Sequence, residues 1–266
     1  PIPTTSALWM RRRYNLRAMS RGQGSLEHVE GGMSRLTDAM AATLGDKVRY
    51  DAQVEAIEET ASGVRVTTRD GKHYDAASAI VTLPLNILRK IKWGMPIDPA
   101  TRAAWSAVPY GKATSIFYPV KEPYWEVDGL PPAIWSDTLI GRAFLVTNQH
   151  GQYLWFYAGG QNAVPTFDWS MSDVVQYATA SLEAARPSLK GRLGEPSAWC
   201  WARHAYAQAT FASRAPGDLG SLQRRLKAPI GRVAFAGEHS ADFSAGIEGA
   251  LESGERAAID SLSMLL

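Results

Sequence analysis

The spacing of apolar positions changes several times along this chain, and each change marks an element. Over residues 6–20, Leu8, Trp9, Leu16 and Met19, with Arg12 among them, recur at roughly helical spacing. That predicts a helix, which Gly22-Gln23-Gly24 breaks. Gly31-Gly32 introduces a second helix with Met33, Leu36, Met40 and Leu44 as its apolar stripe and Gly45 as its stop. Strand patterns follow. Val48 to Tyr50 leads to Val54-Glu55-Ala56-Ile57-Glu58, whose faces alternate, and residues 63–68 run into Arg69-Asp70-Gly71 and return through His73 and Tyr74 as a hairpin. Ala79-Ile80-Val81-Thr82-Leu83 is a continuous apolar run stopped by Pro84, the pattern of a buried parallel strand.

From residue 89 to 205 the chain is rich in Trp, Tyr and Pro, with strands expected at 112–119, 142–147 and 152–158 and a helix near 172–186. Both faces of Tyr153-Leu154-Trp155-Phe156-Tyr157 are apolar, which predicts a strand inside a mixed layer with its aromatics in the core. Further on, Arg232 to Gly237 reads as a buried strand and Glu238 to Phe243 as a loop. A helix then runs from about Ala245 to Leu266, with Asp242 or Ser244 placed to cap it. One face of this helix shows Gly246, Gly249/Ala250, Ser253/Gly254 and Ala257. Each interior glycine costs roughly 1 kcal/mol, so close approach of a backbone or a ligand should compensate. Gly246 sits in the first turn, where free N–H groups and the positive dipole end attract anionic groups. Strand, loop and glycine-rich helix start describe either a cofactor-binding corner or tight helix–sheet packing. Chemistry alone leaves both open.

Composition narrows the function classes. The 266 residues, 45% hydrophobic and 20% charged, are ordinary for one or two globular domains. A net charge of +2 is too small to argue for nucleic acid or an anionic membrane, and Arg11-Arg12-Arg13 reads as the solvated side of its helix. Cys200 is the only cysteine, which excludes an internal disulfide and a cysteine-based metal site. Histidines 28, 73, 150, 204 and 239 lack metal-ligand spacing, so no metal is expected. No apolar stretch is long enough for a bilayer and Pro1-Ile2-Pro3-Thr4-Thr5 lacks a signal-peptide pattern, so a soluble, cytoplasmic chain is expected. The absence of an initiating Met fits a processed or truncated product.

Phe235-Ala236-Gly237-Glu238-His239, followed by Gly246-Ile247-Glu248-Gly249-Ala250-Leu251-Glu252-Ser253-Gly254-Glu255-Arg256-Ala257-Ala258, closely resembles the flavin monoamine oxidase family, which includes L-amino acid and polyamine oxidases. Ser6-Ala7-Leu8-Trp9, Glu30-Gly31-Gly32-Met33, Val108-Pro109-Tyr110-Gly111, Lys121-Glu122-Pro123-Tyr124-Trp125 and Trp201 with Tyr206 fall in family order and spacing. The resemblance therefore covers nearly the whole chain. It implies an α/β, mixed α+β fold: parts of a Rossmann-like FAD-binding domain at 21–88 and 206–266, and a mixed-sheet substrate domain at 89–205, to which the helix at 1–20 also belongs. By the same resemblance Glu238 bonds a ribityl hydroxyl of FAD, Gly237 lies in the cofactor corner, and the helix beginning near Gly246 points at the flavin pyrimidine ring. There the N–H of Ile247 meets the C2 carbonyl, and the backbone at Val54 faces the adenosine part. Trp201 and Phe211 line flavin and substrate.

The departures from the family pattern carry further expectations. The fingerprint G-x-G-x-x-G that holds the dinucleotide is absent, because Gly22-Gln23-Gly24 is followed by Glu27 where the third glycine belongs and follows no strand. The chain thus resembles the C-terminal part of such a protein, with roughly one further domain of about 200 residues to be supplied. It is expected to need a partner, either an N-terminal half or a subunit carrying that motif, as a hetero-oligomer. The lysine that many members place beside flavin N5 falls on Ser115, with Lys112 three residues away and so on the opposite strand face. The position of the cysteine that some members use for covalent attachment is Thr210, so FAD should be non-covalent. The paired aromatics that flank the amine map to Phe211 and Gly246, which leaves one wall open for a bulkier substrate. The implied reaction oxidises an amine or L-amino acid to the imine by hydride transfer to flavin N5, with H2O2 formed on reoxidation, and needs no protein acid or base. A dehydrogenase using an electron carrier, or a non-catalytic partner-binding subunit, is the alternative.

Overall fold

The computed structural model describes residues 5–11, 15, 29–136, 141–159, 168–217, 220–243 and 246–266. The chain forms two compact units, residues 111–210 and residues 2–110 together with 211–266. Residues 7–11 are helical, with Leu8 and Met10 exposed, and Ser6 N–H donates to the Arg214 carbonyl at 2.8 Å. This ties the start of the chain to the second unit, whereas the resemblance puts it with the substrate domain. Arg12, Arg13, the rest of the expected first helix (apart from residue 15) and Gly22-Gln23-Gly24 lie outside the described residues.

α1 (Ser34–Leu44) ends at Gly45 with φ +56, as its sequence predicts, yet none of its residues is buried and Met33, Met40 and Leu44 stay exposed. Val48 to Tyr50 is not a strand. A 3-10 turn over Gly45–Lys47 precedes it and Asp51, at φ +53, turns the chain before β1 (Val54–Thr60). β2 (Gly63–Thr68) and β3 (His73–Ala76) form the expected hairpin, closed by Gly71 at φ +81, whose N–H donates to the Thr68 carbonyl at 2.9 Å. β4 (Ala79–Val81) runs to Pro84 and the short helix α2 (Leu85–Leu88), then β5 (Lys92–Trp93) and α3 (Pro99–Ala107), which Asp98 caps. The sheet order is β3-β2-β1-β5, with β1 antiparallel to β2 and parallel to β5.

Residues 89–110 pack with this unit, against the expectation that they open the substrate domain. The reason is aromatic: Trp93 and Trp105 (ring centroids 5.5 Å apart) join Ile57, Leu85 and Phe235 in one core.

The unit at 111–210 is a five-stranded sheet of β6 (Ala113–Pro119), β7 (Ile134–Trp135), β8 (Arg142–Asn148), β9 (Gly151–Gly159) and β10 (Ser197–Cys200). Its order is β10-β6-β9-β8-β7 and every pairing in it is antiparallel, so the mixed pairing belongs to the other unit. Between β6 and β7 lies α4 (Tyr124–Asp128), and between β9 and β10 lies α5 (Met171–Ala185), capped by Ser170, which accepts from Asp173 N–H at 3.1 Å. Alternation along the strands sends Ile116, Tyr118, Leu154, Phe156 and Ala143 into a core with Val174, Ala178 and Leu182 of α5. The opposite face carries Phe117, Trp135, Phe144, Trp155, Tyr157 and Trp199. These aromatics are not core, contrary to the sequence expectation, and Trp135 is 70% exposed. A period of two with both faces apolar is the same whether one or both faces are covered. Residues 206–210 stay with this unit, where Thr210 N–H donates to the Gly111 carbonyl at 2.9 Å.

The chain returns to the first sheets through α6 (Ser221–Lys227), β11 (Val233–Phe235) and α7 (Gly246–Ser263). β11 pairs in parallel with β4. Val233, Ala234 and Phe235 are buried, but Ile80 of β4 is 40% exposed, so the run 79–83 is covered on one face only among the described residues.

Candidate functional site

The corner between β11 and α7 is built by small residues and a dense polar network. Gly249, Ser253 and Ala257, four apart on α7, are its buried positions and face the alanines of the β11 segment, Ala234 and Ala236. Large side chains there would hold the helix off the strand. Tight helix–sheet packing is therefore part of the answer to the glycine-rich helix face. Ser253 Oγ accepts from Gly237 N–H at 2.9 Å, which fixes Gly237 at φ +134 where a side chain is disfavoured.

From the next turn of α7, Arg256 donates to the Phe235 carbonyl at 2.9 Å and to Ser240 Oγ at 3.1 Å. Glu252 accepts from the N–H groups of Asp242 at 2.6 Å and Phe243 at 3.1 Å. Asp242, a candidate helix cap, pairs instead with Lys227 at 2.5 Å, while Ser244 and Ala245 lie outside the described residues. Buried Arg214 donates to Gln223 Oε1 at 2.7 Å and to the His239 carbonyl, and Gln223 Nε2 reaches the Ala241 carbonyl at 2.7 Å. The 237–243 turn is thus held on three sides.

This setting decides the charge states. Burial first, then the nearby Arg214 and Arg256, pulls the His239 pKa down to about 4, so its ring is neutral at pH 7. Glu238 Oε1 accepts from Ala212 N–H at 2.7 Å, and Ala212 bridges to Tyr110. Burial pushes the Tyr110 hydroxyl up to about 12, with the Glu238 charge adding to the effect, and that hydroxyl accepts from Leu85 N–H at 3.0 Å.

Of the residues expected to meet a cofactor, Gly237, Glu238, Gly246 and Ile247 lie along this corner, and Phe211 precedes Ala212 beside it. Phe211 and Ile247 are exposed. Gly246 was expected to be glycine because something approaches closely. The structure gives another reason: it has φ +65, and a Cβ there would meet nothing within 4 Å. Glycine suits the left-handed backbone and leaves space beside the first-turn N–H groups of α7. Val54 opens β1 opposite Thr68 at a register shift.

Ser115 and Trp201 belong to the other unit. Ser115 pairs with Tyr157 on one side and Trp199 on the other, and Trp201, in a 3-10 turn over Trp201–Arg203, lies 5.6 Å from Trp199 and 5.5 Å from His204 between ring centroids. Thr210 Oγ1 is buried without a hydrogen-bond partner among the described residues.

Sequence reasoning missed Arg214, Gln223, Glu252 and Arg256, and named Ser253 only as a small residue of the helix face. Glu252 and Arg256 share a helix with the glycine stripe, but charged residues on a helix read as solvated. No metal-binding group of side chains occurs among the described residues, and none of the described helices is long and apolar enough to cross a membrane.

The arrangement, a parallel strand leading into an open helix start with a carboxylate alongside, suits a ligand with an anionic edge and hydroxyls. The family model for flavin containing amine oxidoreductases matches residues 7–260. The chain is 27% identical over 256 residues to an L-amino acid dehydrogenase of Synechocystis sp., covering 90% of this chain and 52% of that protein. It is 25% identical over 246 residues to an L-amino-acid oxidase of Protobothrops flavoviridis, covering 88% and 49%. Among solved structures it resembles a putrescine oxidase bound to putrescine (TM-score 0.78, 20% identity, 88% of this chain and 53% of that one) and the cyclohexylamine oxidase of Brevibacterium oxydans IH-35A (TM-score 0.76, 21% identity, 88% and 53%). The chain spans about half the length of these relatives. With nearly all of its length matched and the α/β fold in common, the chain belongs to the flavin containing amine oxidoreductase family.

Proposed function

We propose that this chain supplies the flavin-ring corner and the substrate sheet of an FAD-dependent enzyme that oxidises an amine or L-amino acid to the imine. The observation that carries the reading is the β11–α7 corner, where Glu238 and the open start of α7 sit together on a turn held by Arg256, Ser253 and Arg214. FAD fits these residues. Glu238 would take a ribityl hydroxyl, Gly246 leaves room for the ring, the first-turn N–H of Ile247 would meet its pyrimidine edge, and Val54 would face the adenosine end. Bound flavin would supply the two-electron acceptor for hydride from the amine-bearing carbon. The chain's own part is to hold the helix dipole toward the edge that gains negative charge and to offer the amine an aromatic wall in Phe211, where the neutral amine is favoured. Attachment is non-covalent, since Cys200 is the only thiol.

No G-x-G-x-x-G occurs in this sequence, so the pyrophosphate would be held by residues outside it, on an N-terminal half or a second subunit. Co-expression with that half should give a yellow complex, and this chain alone should carry no flavin. Stoichiometric FAD on the chain by itself would refute that division.

Glu238→Ala is expected to weaken FAD binding by about 1–3 kcal/mol, with Glu238→Gln intermediate because it keeps an acceptor for Ala212 N–H. Titration of the apoprotein with FAD measures it, and equal affinity in all three would make the carboxylate purely structural.

Ser115 is neutral and short. A cation near the flavin assists electron transfer to oxygen, and one charge at about 5 Å is worth about 3 kcal/mol at an effective dielectric of about 20. Oxygen-coupled turnover should therefore be slow relative to dye-coupled turnover, and Ser115→Lys should raise the oxygen-to-dye ratio at least about tenfold, the equivalent of 1.4 kcal/mol. This is the observation that favours the carrier-linked dehydrogenase as second reading. A wild-type protein that consumes oxygen as fast as it reduces dye removes that support.

A further inference from the structure

Glu238 opens the 3-10 turn Glu238–Ser240, and its neighbours on both sides are anchored. Gly237 N–H is bonded to Ser253 Oγ, the His239 carbonyl accepts from Arg214, and Ser240 Oγ accepts from Arg256. The backbone at Glu238 cannot shift without breaking these contacts, so its carboxylate is a fixed acceptor.

That acceptor reaches out of the corner to the segment at 211–213, which belongs to the same compact unit. Glu238 Oε1 takes the Ala212 N–H at 2.7 Å, a bond strengthened by the carboxylate charge. Ala212 is buried in the core with Val233 and Phe235 and bridges Tyr110, and the next N–H, of Ser213, donates to the Pro109 carbonyl at 2.8 Å. Phe211 comes immediately before this anchor. Its ring is 42% exposed and belongs to none of the apolar cores of the described residues, so side-chain packing does little to aim it. The backbone does. The peptide joining Phe211 to Ala212 is planar, and the direction of the Ala212 N–H fixes the plane that also carries the Phe211 α-carbon, the point from which the ring projects. A carboxylate accepts up to about four hydrogen bonds, which leaves capacity for a cofactor hydroxyl.

We propose that Glu238 is a positioning residue for Phe211: the carboxylate that meets the cofactor also sets the aromatic wall that meets the amine. The inference rests on the amine-oxidising reading above and gives Glu238 a second task within it.

The first test needs no turnover. The protein is labelled with 4-fluorophenylalanine, and the fluorine NMR signal of Phe211 is identified by its loss in Phe211→Leu. Glu238→Ala should move this signal toward its unfolded position, and so should Glu238→Asp, which keeps the charge but falls one methylene short. Glu238→Gln should return it most of the way, because the amide oxygen still accepts from the Ala212 N–H. In the flavin-loaded protein at saturating FAD, with benzylamine as substrate, Glu238→Ala and Phe211→Ala should each raise KM about tenfold, more than they lower kcat, and the double variant should be no worse than either alone. A purely structural bond would leave the two effects to multiply. An unmoved Phe211 signal in Glu238→Ala and Glu238→Asp, or KM effects that multiply, would overturn the assignment. Should the loaded wild type oxidise neither benzylamine nor L-phenylalanine, the amine-oxidising reading fails instead, and the fluorine signal still decides whether Glu238 holds Phe211.

Discussion

Arg186→Leu is expected to destabilise the protein by about 2–4 kcal/mol, because it removes a buried guanidinium that donates to a partly exposed carboxylate and to two backbone carbonyls. Arg186 is only 6% exposed. It meets Asp128 through two bonds of 2.8 Å, donates to the carbonyls of Pro131 at 2.7 Å and Leu130 at 3.0 Å, and lies 4.6 Å over the Tyr124 ring. Ser188 adds a third bond to Asp128 at 2.6 Å, and these donors, Arg186 first, hold the Asp128 carboxyl well below the usual carboxylate range. An exposed ion pair would be worth little, whereas here leucine leaves two carbonyls and a carboxylate without their donor. The lost guanidinium also exposes the Tyr124 ring, whose hydroxyl burial has pushed up to about 12 and which donates to the Pro132 carbonyl at 2.6 Å. The unfolding midpoint should fall by roughly 10 °C. A fall of less than about 3 °C would mean that water replaces the guanidinium freely.

The second large effect is on stability against pH. His239 is 4% exposed and its folded pKa lies near 4, below the ordinary value of 6.5. The unfolded chain therefore takes up a proton first as pH falls. The stabilisation is complete above pH 6.5, is lost progressively between about 6.5 and 4, and changes no further below that window. The gap corresponds to about 3 kcal/mol in all, of which about 2 is lost by pH 5. Urea unfolding at pH 7.5 and 5 should show this difference in the wild type and lack it in His239→Gln, whose absolute stability is lower at both. Equal pH slopes in the two proteins would show that the ring reaches water in the folded state. Because His239 sits within the 237–243 turn, flavin release should follow the same titration.

How far the sequence could be read is clearest by comparing elements of one kind. The β2–β3 hairpin was legible because its turn is local: Asp70-Gly71 needs a left-handed glycine and supplies it within four residues. β11 and α7 were legible for the same reason, a buried apolar run followed by helix periodicity. Val48–Tyr50 misled, since a short apolar segment looks the same after a helix end whether or not a strand lies beside it, and here Asp51 turns the chain away. Residues 89–110 misled in a different way. Their tryptophans are indistinguishable in sequence from those that follow, and only Trp105 meeting Phe235 at 5.7 Å, 130 residues later in the chain, assigns them to the other core.

The candidate site divides along the same line. Glu238, the glycine at 246 and the neutral Ser115 are matters of residue identity at positions counted along a motif, so the sequence by itself determined them, together with the family and the absence of a phosphate-binding glycine loop. Only the tertiary structure decided that Gly246 is required by its own φ, that Ser253 and Arg256 brace the turn, and that Glu238 reaches Ala212. Each of these is a relation between residues far apart in sequence or a backbone angle. Side-chain periodicity carries one number per position, the preference for an inside or an outside. It cannot say which inside a residue reaches, or which neighbour from another strand it finds there.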